Sequence, residues 1–236
     1  MGRVDGGMSD SATADLASGK RLVEQALTAS PHHAFAHLLK GSILRAQNRW
    51  QEAIPELETA LALDRNLVGA LAGLGFCKLY AGSIEEVIPL LEQAIRLSPR
   101  DPGIGGWYYL IGTVHLLQSR TDEAIVCLEK ARSAMPTVPF HRSRLASAYA
   151  LRGEMERAAA ELAEARRLHS GDLFSSIAHL KGVPGAWWGV PKTRALYEAT
   201  YFAGLRKAGM PEEMTDTAGS PASGSAPSSP SSAWGC

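Results

Sequence analysis

Alanine, a bulky aliphatic residue four places on and a second alanine three further recur four times along this 236-residue chain. The sets are Ala53/Leu57/Ala60, Val87/Leu91/Ala94, Ala124/Leu128/Ala131 and Ala158/Leu162/Ala165, with valine opening the second. Offsets of four and three place all three members on one face of a helix, so each set predicts an amphipathic helix with a narrow apolar seam. A second series runs in step with the first: Gly41, Gly75, Gly112 and Ala146. Each follows a bulky residue except Gly41, which follows Lys40, and each is small enough to admit a neighbouring helix at close range. The terminal alanines extend upstream to Ala26, and their intervals are 34, 34, 37 and 34 residues. Aligned series at one period mean a stacked array of helix pairs, in which a unit buries its apolar face only against a neighbour.

The predicted fold is all-α: a right-handed superhelical array of antiparallel helix pairs, an α-solenoid, with a C-terminal capping helix and a disordered tail. Four complete units fit residues 34–67, 68–101, 105–138 and 139–170. Asn48, Gly82 and Gly153 fall where the two helices of a unit turn, and Pro99 and Pro136 close two units. Upstream, 14–33 reads as the second helix of a further unit, spanning Leu16–Ser30 with Pro31 in the closing position. Residues 1–13 are glycine-rich, polar and too short for its partner helix, so they are expected to be disordered. A half-unit points to a chain that begins inside a longer protein, with an atypical capping helix as the alternative. Residues 171–209 form a helical cap with a Trp-containing loop, Gly182-Val-Pro-Gly-Ala-Trp-Trp-Gly-Val-Pro191, and 192–208 is helical. The remainder, 210–236, has too little apolar surface to fold.

This order of glycine, alanine, bulky residue and proline resembles the tetratricopeptide repeat. Leu145-Ala146-x-x-Tyr149 with Gly153, Ala158, Leu162 and Ala165 is the best single match. The tryptophan usual in the family's first helix is absent; His37, Leu71, Tyr108 and Arg142 occupy its places. The resemblance implies a binding module with a concave face formed by the first helices. A second likeness lies in Leu97-Ser-Pro-Arg-Asp-Pro102, Ala146-x-x-Tyr-Ala-Leu-x-Gly153 and Gly204-Leu-Arg-Lys-Ala-Gly-Met-Pro-Glu212. These phrases are similar to the regulatory half of bacterial class III nucleotide cyclase or winged-helix regulator proteins, and imply origin as such a half without its activity.

Composition narrows the function. Basic and acidic side chains balance at 24 each, so no global field draws the chain to nucleic acid or anionic lipid. No apolar run is long enough for a bilayer, no signal peptide opens the chain, and the expected location is cytoplasmic. Cys77, Cys127 and Cys236 form neither a disulfide framework nor a metal spacing, and the first two read as reduced core fillers. His33 and His37 stand four apart but lack a third ligand, and Gly103-Ile-Gly-Gly106 follows a helix instead of a strand. Neither is read as a site, and no metal, cofactor or catalytic constellation is expected.

The concave face carries the candidate chemistry. The resemblance implies that Phe35, Leu38 and Arg45, then Phe76, Tyr109 and Phe140 line it, and Arg45 and Arg144 read as isolated cations in an otherwise apolar groove. The lysine and asparagine with which chaperone-binding relatives hold a terminal carboxylate are missing, so the groove suits a helix or extended segment with hydrophobic anchors. Two alternatives stand beside this one: the aromatics pack between units, or the chain's own C-terminal helix fills the groove. Trp187 and Trp188 either cap the exposed end of the array or form a partner hot spot. The expected function is non-catalytic protein–protein interaction, with a protein or peptide partner or self-association. The alternative is the regulatory fragment of a cyclase or transcription regulator.

Overall fold

The computed structural model describes residues 7–183 and 189–213, and side chains from residue 18 onward. Nine helices follow one another as an array among these residues: α1 (Gly7–Ala29), α2 (Ala34–Ala46), α3 (Trp50–Leu63), α4 (Val68–Ala81), α5 (Val87–Leu97), α6 (Ile104–Leu117), α7 (Thr121–Ala134), α8 (Pro139–Arg152) and α9 (Met155–Leu168). The pairs α2/α3, α4/α5, α6/α7 and α8/α9 correspond to the four units read from the repeat. Beyond them come short α10 (Ile177–Lys181) and a helical run over 191–207. That run is α11 (Pro191–Tyr197), a π turn (Glu198–Phe202) and α12 (Ala203–Lys207).

The seams form where the spacing places them. All twelve members of the four alanine–bulky–alanine sets are buried. Glycine has a packing reason at the matching first-helix position. A Cβ on Gly112 would stand 2.7 Å from Leu128 Cγ and 3.2 Å from the Ala124 carbonyl oxygen. The two helices therefore meet backbone to side chain at a distance no larger residue permits. The intra-unit turns need left-handed backbone: φ is 60° at Asn48, 94° at Gly82 and 92° at Gly153. The third unit makes the same turn at Ser119, φ 60°, with no glycine or asparagine to announce it.

Two expectations at the ends are corrected. Helix α1 begins at Gly7, within the segment expected to be disordered; residues 1–6 lie outside the described part. No proline interrupts 7–30, and Ala12, Ala14 and Ala17 favour continuing the helix upstream. At the other end the chain stays packed through residue 212. Met210 is buried, and the Pro211 and Glu212 carbonyls accept 2.9 Å hydrogen bonds from the main-chain N–H groups of Ile177 and Ala178. Those N–H groups belong to the first turn of α10, which has no helical partner for them, and the returning chain satisfies both. The expected tail beyond 213 lies outside the described residues.

Candidate partner-binding groove

The first helices α4, α6 and α8 line up along one side of the array, and the 191–207 run lies against them. It enters beside α4, where Val190 N–H donates to the Tyr80 carbonyl oxygen at 3.2 Å. It leaves along α8, where Gly204 packs on Ser147: a Cβ on Gly204 would be 2.5 Å from the Ser147 carbonyl oxygen. Between these ends Tyr197, Thr200, Tyr201, Gly204 and Leu205 are buried. They form one face of the run, spaced as the seam of a repeat helix is spaced.

Arg144 sits beneath this helix and is 2% exposed. Its Nε donates to Thr113 Oγ1 at 3.3 Å. Its guanidinium carbon lies 5.5 Å from the ring centroid of Tyr109, 4.8 Å from Tyr197 and 3.9 Å from Tyr201. Three aromatic faces thus surround one buried cation, two of them from the C-terminal run. Burial pushes the Tyr201 phenol up to about 12, so its proton stays on at neutral pH. The phenol shares a 2.9 Å hydrogen bond with Ser143 Oγ, and Ser147 Oγ donates to the Tyr201 carbonyl at 2.9 Å. A carbonyl inside a helix ordinarily serves the ladder; the π turn at 198–202 is where the ladder shifts.

Phe76, Arg45 and Trp50 form a second cluster nearer the N-terminus. The Arg45 guanidinium lies 5.0 Å over the Phe76 ring. Phe76 packs on Trp50 and Tyr80 at 5.6 and 4.7 Å, and Trp50 stacks on Tyr80 at 5.2 Å. Arg45 is half-buried, burial holds its pKa below the ordinary arginine value, and Arg45 Nε and Trp50 Nε1 are buried without hydrogen-bond partners among the described residues. Phe35, on the same face of α2 as Leu38 and Arg45, is 52% exposed. Leu38 is buried, against Gly69 of α4.

The nine expected groove residues therefore divide. Phe35, Leu38, Arg45 and Phe76 lie toward the N-terminal end, and Phe76 packs on Tyr80, whose carbonyl meets Val190 at the start of the C-terminal run. Tyr109 and Arg144 are covered, and the segment they meet belongs to the same chain. Phe140 packs edge-on to Phe174, 5.2 Å between centroids, in the turn after α9. Trp187 and Trp188 lie outside the described residues. Trp50 and Tyr80 were not foreseen as neighbours of Phe76. The alternative in which the chain's own C-terminal helix fills the groove is the one the structure shows, through Tyr197, Tyr201 and Gly204. The offsets of four and three from Tyr197 to Gly204 were the available signal.

The histidine pair makes no metal site: His33 Nδ1 caps α2, and His37 Nδ1 pairs with Glu56 Oε2 at 2.7 Å. Among the described residues no group of three or more His, Cys, Asp or Glu converges to hold an ion. Cys77 is buried with its thiol pushed up to about 12 by burial, as a core filler would be. None of the described helices is long and apolar enough to cross a membrane.

Residues 5–67, which take in α1, α2 and α3, match the tetratricopeptide repeat family. Across the rest of the array the likeness to solved structures is one of fold, at under 25% identity. The fold is that of a tetratricopeptide repeat array. Pseudomonas aeruginosa pilF superposes with a TM-score of 0.62 at 17% identity, over 86% of this chain and 84% of that one. YrrB, described as a TPR protein with an unusual peptide-binding site, superposes with a TM-score of 0.54 at 18% identity, over 79% of this chain and 90% of that one. In sequence, 77 residues are 36% identical to anaphase-promoting complex subunit 7 of Dictyostelium discoideum. That stretch is 33% of this chain and 13% of the subunit, so the repeat array spans a small part of that relative.

Proposed function

We propose that this chain is a non-enzymatic interaction module that binds a helical protein segment on its concave face. The observation that carries the reading is the groove over α4, α6 and α8, which holds a helix through aromatic, cationic and hydroxyl contacts. The groove thus has the chemistry to recognise a helix, and its N-terminal end still presents Phe35, Arg45 and Phe76. The peptide-binding description of YrrB and the likeness to a subunit of a multiprotein complex are consistent with this. A cytoplasmic location belongs to the same proposal. Origin as the regulatory half of a cyclase or winged-helix regulator rests on the sequence resemblance alone.

The test is site-specific crosslinking in the native cells. A photoreactive residue at Ser42, on the face shared by Phe35, Leu38 and Arg45, is expected to form protein adducts that disappear when Phe35 and Arg45 are both changed to alanine. Adducts indifferent to those two substitutions, or none at all, would overturn the assignment.

A further inference from the structure

The surface beneath the 191–207 run differs from the alanine–bulky–alanine seams of the helix pairs. The seams within the helix pairs are alanine, leucine and valine, fully buried. Under the C-terminal run lie Thr113, Ser143, Arg144 and Ser147, also buried. A contact made once, during folding, is normally apolar, because every buried polar group must recover the bonds it gives up to water. Part of the recovery comes from the array, Phe140 for Ser143 and Thr113 for Arg144, and part from the helix: Tyr201 for Ser143 and Ser147, and the rings of Tyr197 and Tyr201 for Arg144. Water would serve the same hydroxyls and guanidinium if the helix left. The surface is therefore suited to both states, as interfaces between separable parts are.

The docked helix is also imperfectly held. Thr193 Oγ1 is fully buried with no hydrogen-bond partner among the described residues. The π turn at 198–202 interrupts the regular ladder at the centre of the contact. Both features lower the stability of the docked state and leave the helix pairs untouched.

We propose that the 191–207 helix is a cis-occupant that keeps this groove closed until it is displaced by a helix of another protein. That helix must carry two aromatic side chains four apart, to flank Arg144, and a glycine three further on, where the backbone meets Ser147. The inference rests on the reading of the array as an interaction module, and names the regulation of the same groove.

The test uses the full chain carrying Gly204→Leu, which drives a side chain into the Ser147 main chain and expels the helix. A fluorescent peptide of residues 190–212, followed by anisotropy, is expected to bind this variant at least about tenfold more tightly than wild type. Equal affinity for the two, or none for either, overturns the proposal. Because Gly204→Leu can also unsettle the array, hydrogen exchange on the wild type gives a second reading. Amides of 193–207 are expected to exchange at least about 100-fold faster than those of 143–150 in α8, and equal protection overturns displacement. A wild-type dimer whose 191–207 helix crosslinks to the other copy overturns the cis assignment. Peptide binding in trans together with no adducts at Ser42 would sink the module reading and keep the cis-occupant; adducts without peptide binding would do the reverse.

Discussion

The guanidinium carbon of Arg144 stands 3.9 Å over the ring of Tyr201, joining the last complete unit of the array to a helix 57 positions later in the chain. A cation over an aromatic face is worth about 2 kcal/mol when water is excluded. Arg144→Met keeps the length and removes the charge, and is expected to lower stability by about that amount. For a chain of this size the melting temperature falls by about 4–8 °C. Arg144→Lys should recover little, since an ammonium cannot lie flat between Tyr109, Tyr197 and Tyr201. Thermal unfolding followed by circular dichroism checks both; a lysine variant as stable as wild type would remove the stacking argument.

Gly112 and Gly106 lie on the same helix and should respond in opposite directions to alanine. At Gly112 the new Cβ meets Leu128 Cγ at 2.7 Å and a main-chain oxygen at 3.2 Å, whereas at Gly106 nothing lies within 4 Å. Gly112→Ala is expected to cost about 1–3 kcal/mol through overpacking. Gly106→Ala gains about 0.5–1 kcal/mol by restricting the unfolded chain. Urea midpoints decide; equal shifts would mean that helix propensity, and not packing, fixes the glycine.

The part of the fold legible in the sequence is the part that repeats. Leu57, Leu91, Leu128 and Leu162 each pack in the same phase, so one position read correctly serves for all four. The glycine at 112 follows from the repeat alone, because its partner comes from the next helix of the same unit. The C-terminal contact is of another kind. Arg144 reads as an isolated cation in an apolar groove, since its ring partners Tyr197 and Tyr201 come from outside the repeat and its aromatic neighbour Tyr109 from the preceding unit. Ser143 and Ser147 look merely tolerated on a concave face until the π turn offers them Tyr201. Ser119 shows the same limit locally: the turn geometry recurs, but its residue type does not follow the pattern.

His141 should make the stability of the array depend on pH between neutrality and mild acid. It is fully buried and packs on Tyr109 at 5.0 Å between centroids. Burial, with the charge of Arg142 acting in the same direction, holds its pKa at about 4 against an ordinary 6.5. The unfolded chain therefore takes up this proton first as the pH falls. Stability is complete above about pH 6.5, declines between there and about pH 4, and levels off for this group below that. The full loss is on the order of 3 kcal/mol. His141→Phe, which retains an aromatic ring beside Tyr109, is expected to flatten the urea midpoint between about pH 7.5 and 4.5. The same slope in wild type and variant would assign the acid sensitivity to another group.

Glu161 joins three helices, and its removal should be felt well beyond its own. From α9 it accepts from Arg132 of α7 and, at 3.0 Å, from Arg142 of α8, with its side chain only 9% exposed. The pair Arg49–Glu52 has as good a geometry at 2.5 Å, but the two side chains are 43% and 58% exposed. Water already solvates the exposed pair, so Glu52→Ala is expected to leave the urea midpoint unchanged. Glu161→Ala strands two guanidinium groups where water reaches them poorly, and is expected to cost about 3 kcal/mol. Salt separates the two cases further. Raising ionic strength to about 0.5 M screens the exposed pair and leaves the buried one nearly intact, so the penalty at Glu161 should persist. A Glu161 penalty that vanishes in salt would mean that the two arginines are hydrated in solution, and that α7, α8 and α9 are held together by their alanine and leucine seams alone.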